Sequence, residues 1–122
     1  MSERETASER ITRELASWPG VASGPGRRGE LSFTLARREI GHLHGDRAAH
    51  FFFPKRLWEE LRAQGRIVPH PVFPLKRGPA ARSIESEADI RDVIELFRLN
   101  YDRGAARHPE AAATVSREGR SP

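Results

Sequence analysis

The chain has 122 residues, with 21 Lys or Arg against 17 Asp or Glu, five His and a net charge of +4. That length supports one hydrophobic core and leaves no room for two domains. Cysteine is absent, which excludes disulfide staples and thiolate metal sites, and no apolar run approaches the ~18 residues that a membrane span requires.

The N-terminal stretch MSERETASER is polar and carries no apolar leader segment, so a soluble, cytoplasmic chain with no membrane partner is expected. Ala7, Ile11, Leu15 and Trp18 then recur at helical spacing, and Thr6 with Glu9 forms a capping-box pattern. WPG ends this helix. VASGPGRRGE reads as a short strand entering a Gly/Pro loop, and ELSFTLA alternates Leu31, Phe33 and Leu35 against Ser32 and Thr34, the mark of a half-buried strand. A turn at Arg37 and Arg38 leads into EIGHLH as the returning strand of a hairpin, and AAHFFF predicts a third antiparallel strand stopped by Pro54.

Pro54 suits the start of a second helix, PKRLWEELRAQG, with Leu57 and Leu61 inward, Trp58 packed and Gly65 closing it. Prolines 69, 71 and 74 forbid a regular central strand in the next segment, which is expected to run extended into a short edge strand near Ala80 to Ile84. Ser86 caps a third helix reaching Tyr101, with Ile90, Val93, Ile94, Phe97 and Tyr101 on one stripe, and Gly104 is expected to end it. The order of elements predicts an α+β fold: a small, mainly antiparallel sheet packed against three helices, in one domain over residues 1–104. Residues 105–122 have no large apolar stripe and read as a disordered tail.

Chemistry concentrates in REIGHLHGD, residues 38–46. Three of the five histidines fall between Arg38 and His50, and His70 sits between two prolines. Strict strand alternation points His42 and His44 to one face with Ile40, and Glu39, Gly41 and Leu43 to the other. Gly41 and Gly45 flank the pair, as glycines do at bulges or where a ligand comes close. His70 reaches the same face if its proline-fixed loop folds back. Three chemistries suit such a cluster. A His-x-His pair with His70 or Asp46 supplies three ligands for zinc, iron or copper. An imidazole, with a reference pKa of ~6.5, serves as a general base near neutrality, with Arg37, Arg38, Arg47 or Lys55 holding the anion formed and Phe51 and Phe53 lining an apolar pocket. The third is a plain sheet whose histidines hydrogen-bond to carboxylates and carbonyls.

Between Arg27 and Arg82 the chain holds 12 basic against 5 acidic residues, while the flanks are mildly acidic. This middle region predicts at most weak, non-specific contact with nucleic acid, because its basic residues alternate with apolar ones on several elements and define no single face. No phosphate-binding glycine loop and no serine or cysteine nucleophile motif occurs.

The segments RREIGHLHGDRAAHFFFPKRLWEELRAQGR, PHPVFP and SIESEADIRDVIELFRLNY together resemble the bacterial luciferase-domain family, small proteins that share this region with fungal luciferase. The likeness spans Leu31 to Tyr101 and is distinct from the flavin-dependent bacterial luciferases. It implies that Glu39, His42, His44 and His70 are the catalytic positions, with Asp46 and Tyr101 as weaker matches beside the candidate substrate contacts Arg38, Arg47, Phe51 and Phe53. It also implies a small-molecule substrate, a hydroxypyrone or another electron-rich enol, consumed without metal, flavin or other cofactor. In the fungal reaction the substrate adds O2, closes to a strained peroxide, loses CO2 and emits light. This chain departs from the pattern at KRGPAARSI, where Pro79 stands in place of the expected Trp and removes an aromatic wall. The alternatives are a ligand- or nucleic-acid-binding module without catalysis and a metal-dependent His-cluster enzyme. The sequence leaves the oligomeric state open.

Overall fold

A computed structural model describes residues 5–113. In chain order the elements are α1 (Ala7–Ala16), β1 (Ala22–Pro25), β2 (Leu31–Leu35), β3 (Arg38–His44), β4 (Ala48–Phe52), α2 (Lys55–Ala63), β5 (Val68–Pro69), β6 (Pro79–Ser83) and α3 (Glu87–Arg107). The six strands form one sheet in the order β1-β2-β3-β4-β6-β5, and every neighbouring pair is antiparallel. The fold is α+β.

Local sequence explains the helix ends. At α1 the Thr6 hydroxyl accepts from the Glu9 amide while the Glu9 carboxylate accepts from the Thr6 amide, a complete capping box. The Ser86 hydroxyl accepts from the Asp89 amide at the start of α3. Helix α3 lies across β2 and β3 with α1 beside it. Phe33, Leu35, Leu43, Ala49, Phe51 and Ala80 project from the strands into one core with Val93, Leu96 and Phe97 of α3 and Trp58 and Leu61 of α2. The helices therefore cover one face of the sheet, and the opposite face carries polar groups, as a half-buried antiparallel sheet does.

The structure corrects three local expectations. The β2–β3 turn is Ala36–Arg37, both with positive φ (55° and 68°), and Arg38 already opens β3. A two-residue loop with both residues left-handed matches the strand twist of a tight hairpin. Strand β6 is not an edge: it sits between β4 and the two-residue β5, and Pro69, which forbids a central position, lies on that outermost strand. Finally, α3 continues through Gly104 to Arg107, and a short fourth helix follows over 109–113. Gly104 is a packing residue: a Cβ there would come within 3.2 Å of a Leu35 methyl, so its small size lets the helix lie close to β2. Ala111 and Ala112 pack against the core. The rest of the expected tail, residues 114–122, lies outside the described residues.

The most consequential departure from simple alternation is in β3. Phe33 pairs with Gly41 but Thr34 pairs with Glu39, so Ile40 is an extra residue, a β-bulge. Ile40 and Gly41 both face the core, and Glu39 returns to the open face. The buried Asn100 of α3 donates from Nδ2 to the Ile40 carbonyl (3.2 Å) and the Phe52 carbonyl (3.0 Å), tying the helix across β3 and β4 beside the bulge.

Candidate functional site

Four imidazoles gather on the open face. His42 and His44 stand on β3, and His50 on β4 is the direct cross-strand partner of His42. The ring centroids lie 5.0 Å apart for His42–His44, 5.2 Å for His42–His50, 4.4 Å for His44–His50 and 4.2 Å for His50–His70. They line a cavity of about 340 Å³ together with Arg27 and Arg28 of the β1–β2 loop and with Val72 and Phe73. That volume lies at the small end of the range for small-molecule sites.

Hydrogen bonds fix the direction of the His42, His50 and His70 rings. Glu39 Oε1 lies 3.1 Å from His42 Nδ1, and Glu39 Oε2 accepts from the Ser32 hydroxyl at 2.6 Å. The His42 contact, opposed by partial burial and helped by Ser32, holds the Glu39 carboxyl below its ordinary range, so Glu39 is an anion and only accepts. His42 must then carry a proton on Nδ1, and in the neutral ring Nε2 is left as a lone pair. On the other side the Val72 amide donates to His70 Nδ1 at 3.0 Å, and His70 Nε2 lies 3.1 Å from His50 Nδ1. A backbone N–H can only donate, so neutral His70 holds its proton on Nε2 and passes that bond to His50 Nδ1. Neutral His50 in turn carries its proton on Nε2.

Burial, followed by the neighbouring imidazoles His70, His44 and His42, lowers the His50 pKa from 6.5 to about 4. Burial also lowers His70, with His42, His44 and Arg28 adding to it. Both rings are neutral at pH 7, as the bond directions require.

Glu39, His42, His44 and His70 thus come together, and strict alternation would have kept Glu39 away. The other predicted positions lie elsewhere. Phe51 and Phe53 are buried on the helix-covered face, with Phe51 edge-on to Phe97 at 4.8 Å, because alternation along β4 sends His50 and Phe52 outward and Phe51 inward. Tyr101 is also in the core: its hydroxyl donates to the Pro19 carbonyl at 2.7 Å and its ring packs on Trp18. Asp46, in the β3–β4 turn, accepts from the Ser8 amide and so anchors α1 (2.8 Å). Arg47 is exposed in the same turn, and Arg38 lines a separate cavity with Asn100, Arg103 and Arg107.

Sequence reasoning missed His50, although His42 and His50 are equidistant from Asp46, and a hairpin centred there pairs them. It also missed Arg27, Arg28 and Phe73, which replace the expected arginines and phenylalanines at the cavity wall. His70 and Phe73 have ring centroids 5.6 Å apart.

The profile of the Luciferase domain family matches residues 37–100, which include all four histidines, Glu39 and most of α3. The chain belongs to the luciferase-domain family. No curated protein and no solved structure matches it. Within this luciferase domain the matched region begins at the β2–β3 turn and ends at Asn100, the residue that ties α3 to the bulge. Among the described residues no helix is long and apolar enough to cross a membrane.

Proposed function

We propose that this luciferase domain is an oxygenase that acts on an electron-rich enol, of the hydroxypyrone kind, without metal or flavin, and that His42 is its base. The observation that carries the reading is the Glu39–His42 pair, which leaves an acceptor nitrogen on His42, together with the His70–His50 relay, which leaves a donor on His50, both rings lining one cavity. O2 reacts slowly with ordinary closed-shell molecules, so a cofactor-free route needs a substrate made electron-rich by losing a proton.

His42 Nε2 takes the enol proton, while the Glu39 carboxylate holds the ring's tautomer and stabilises the imidazolium that forms. His50 Nε2–H donates to the enolate oxygen, and Arg27 and Arg28 supply positive charge at the rim. The enolate carbon gives its electron pair to O2, forming a C–O bond, and the resulting peroxide anion takes a proton back from His42 as the hydroperoxide. Ring closure and CO2 loss are then the substrate's own chemistry, as the likeness to fungal luciferase implies. His44, the most exposed of the three strand histidines, lines the same cavity and orients the substrate.

The test is O2 uptake with a hydroxypyrone in metal-chelated, flavin-free buffer, with spontaneous oxidation subtracted. His42→Ala is expected to lower the rate on the order of 100-fold or more, and Glu39→Gln to lower kcat with little change in KM. Full turnover by His42→Ala would refute the assignment of the base.

A further inference from the structure

The imidazole cluster has a second competence that does not depend on any oxygen chemistry. One ring nitrogen from each of His42, His44 and His50 lies within 4.8 Å of the other two. Three imidazoles bound to one ion at 2.0–2.1 Å have their nitrogens about 3.3 Å apart, so no pair needs to close by more than about 1.5 Å. Small side-chain rotations suffice for that, because the backbone already fixes the three positions: two alternate residues of β3 and the paired residue of β4. Glu39 provides the outer partner that metal-bound histidines use, a carboxylate on the remote nitrogen that holds the ring and makes the ligand nitrogen more basic. Imidazole donors without thiolate, and an open cavity side for water, suit zinc, copper or nickel rather than calcium or magnesium.

We propose that His42, His44 and His50 bind one divalent, imidazole-preferring transition ion, and that this ion and the His70–His50 hydrogen bond exclude each other. Binding through His50 Nε2 requires that nitrogen to be bare, which moves the ring proton to Nδ1. His70 Nε2 now donates to that same Nδ1. A proton on both nitrogens is repulsive, and shifting the His70 proton to its Nδ1 would set it against the Val72 amide. The loop bearing His70 and Val72 therefore releases when the ion enters. Where the oxygenase reading holds, an occupied His42 can no longer accept a proton and the ion inhibits. The binding itself rests only on the three imidazoles, so it stands or falls separately.

The experiment uses the full chain prepared without a polyhistidine tag, stripped with chelator and titrated with Zn²⁺ and with Cu²⁺ by calorimetry. One equivalent is expected to bind. The Cu²⁺ complex should show coupling to three nitrogens by electron paramagnetic resonance, and the Val72 amide resonance should shift on Zn²⁺ addition. His44→Ala and His50→Ala should each weaken binding by about 10-fold or more, and Glu39→Gln by about 10-fold through the outer partner. His70→Ala, which removes the competing donor, should bind the ion at least as tightly as the parent, while His108→Ala is the unchanged control. Absence of one-equivalent binding in the parent chain, or binding that His50→Ala leaves unchanged, would overturn the site. Tight binding that His70→Ala weakens would overturn the exclusion and make His70 a fourth ligand.

Discussion

Gly41 is the residue on which the placement of the site depends, and its replacement by alanine has a cost that follows from the structure. A Cβ at Gly41 would stand 2.5 Å from Phe97 Cε1 and 2.9 Å from Phe51 Cδ1. Neither ring has room to yield: Phe97 is fully buried, Phe51 nearly so, and Phe97 is also edge-on to Phe33 at 5.3 Å. Forcing a methyl group into such a core costs about 1–3 kcal/mol. The Gly41 φ of +156° adds about 1–3 kcal/mol for a side-chain-bearing residue. Together these give roughly 2–6 kcal/mol, a large share of the ~5–15 kcal/mol that holds a domain folded.

Gly45 supplies the internal control. Its φ is +58°, also left-handed, but nothing lies within 4 Å of a Cβ placed there. Gly45→Ala should therefore show the backbone cost alone, about 1–2 kcal/mol. Urea unfolding followed by circular dichroism at pH 7 measures both variants against the parent. Gly41→Ala is expected to be less stable than Gly45→Ala by at least about 1 kcal/mol, the contact part of the cost. Equal losses in the two variants would mean that no aromatic ring stands over Gly41, and the bulge that turns Glu39 towards His42 would be wrong with it.

Two further predictions concern groups outside that contact. The His50 pKa lies below its unfolded value, so the unfolded chain takes up the proton first: stability is full above about pH 6.5 and falls as the pH drops towards 4. The ceiling is roughly 3 kcal/mol, and because the ring is partly open to solvent, screening reduces it to about 1–2 kcal/mol; urea midpoints at pH 7 and 4.5 should show this slope in the parent and a flatter one in His50→Gln, and identical slopes would refute it. Tyr101→Phe removes the bond to the Pro19 carbonyl and should cost about 1 kcal/mol by the same unfolding assay while leaving O2 uptake unchanged, whereas a loss of turnover in a folded variant would return Tyr101 to the site.

Most of the architecture is legible in the sequence because it rests on local rules. Thr6 with Glu9 and Ser86 announce their helices, Phe33 and Leu35 alternate with polar neighbours, and the parity of His42 and His44 holds. What alternation cannot show is a bulge, since Ile40 and Gly41 give no sign in sequence that both face the core. The same limit hides β6, whose inner place depends on a two-residue partner, and Gly104, which reads as a helix end until Leu35 is seen against it. The site suffered in proportion. Phe51 and Phe53 are expected from sequence to line an apolar pocket beside the histidines, whereas the hairpin register centred on Asp46 pairs His50 with His42 and sends Phe51 inward.

The open face of the sheet also bears on whether the cluster is structural. A half-exposed antiparallel sheet is satisfied by threonine or other small polar residues, which pack well on a pleated surface and do not titrate near neutrality. Four imidazoles in contact do the opposite: burial and mutual repulsion hold His50 and His70 neutral, and the fold weakens as soon as acid charges them. The bulge points the same way, because an unbroken strand would place Glu39 on the core face, where an unpaired carboxylate is costly, while the extra residue at Ile40 brings it to His42. Stability alone would be better served by a strand without the bulge and without the histidines. Both features are what the function proposed above requires: an acceptor on His42 and a donor on His50, lining one cavity.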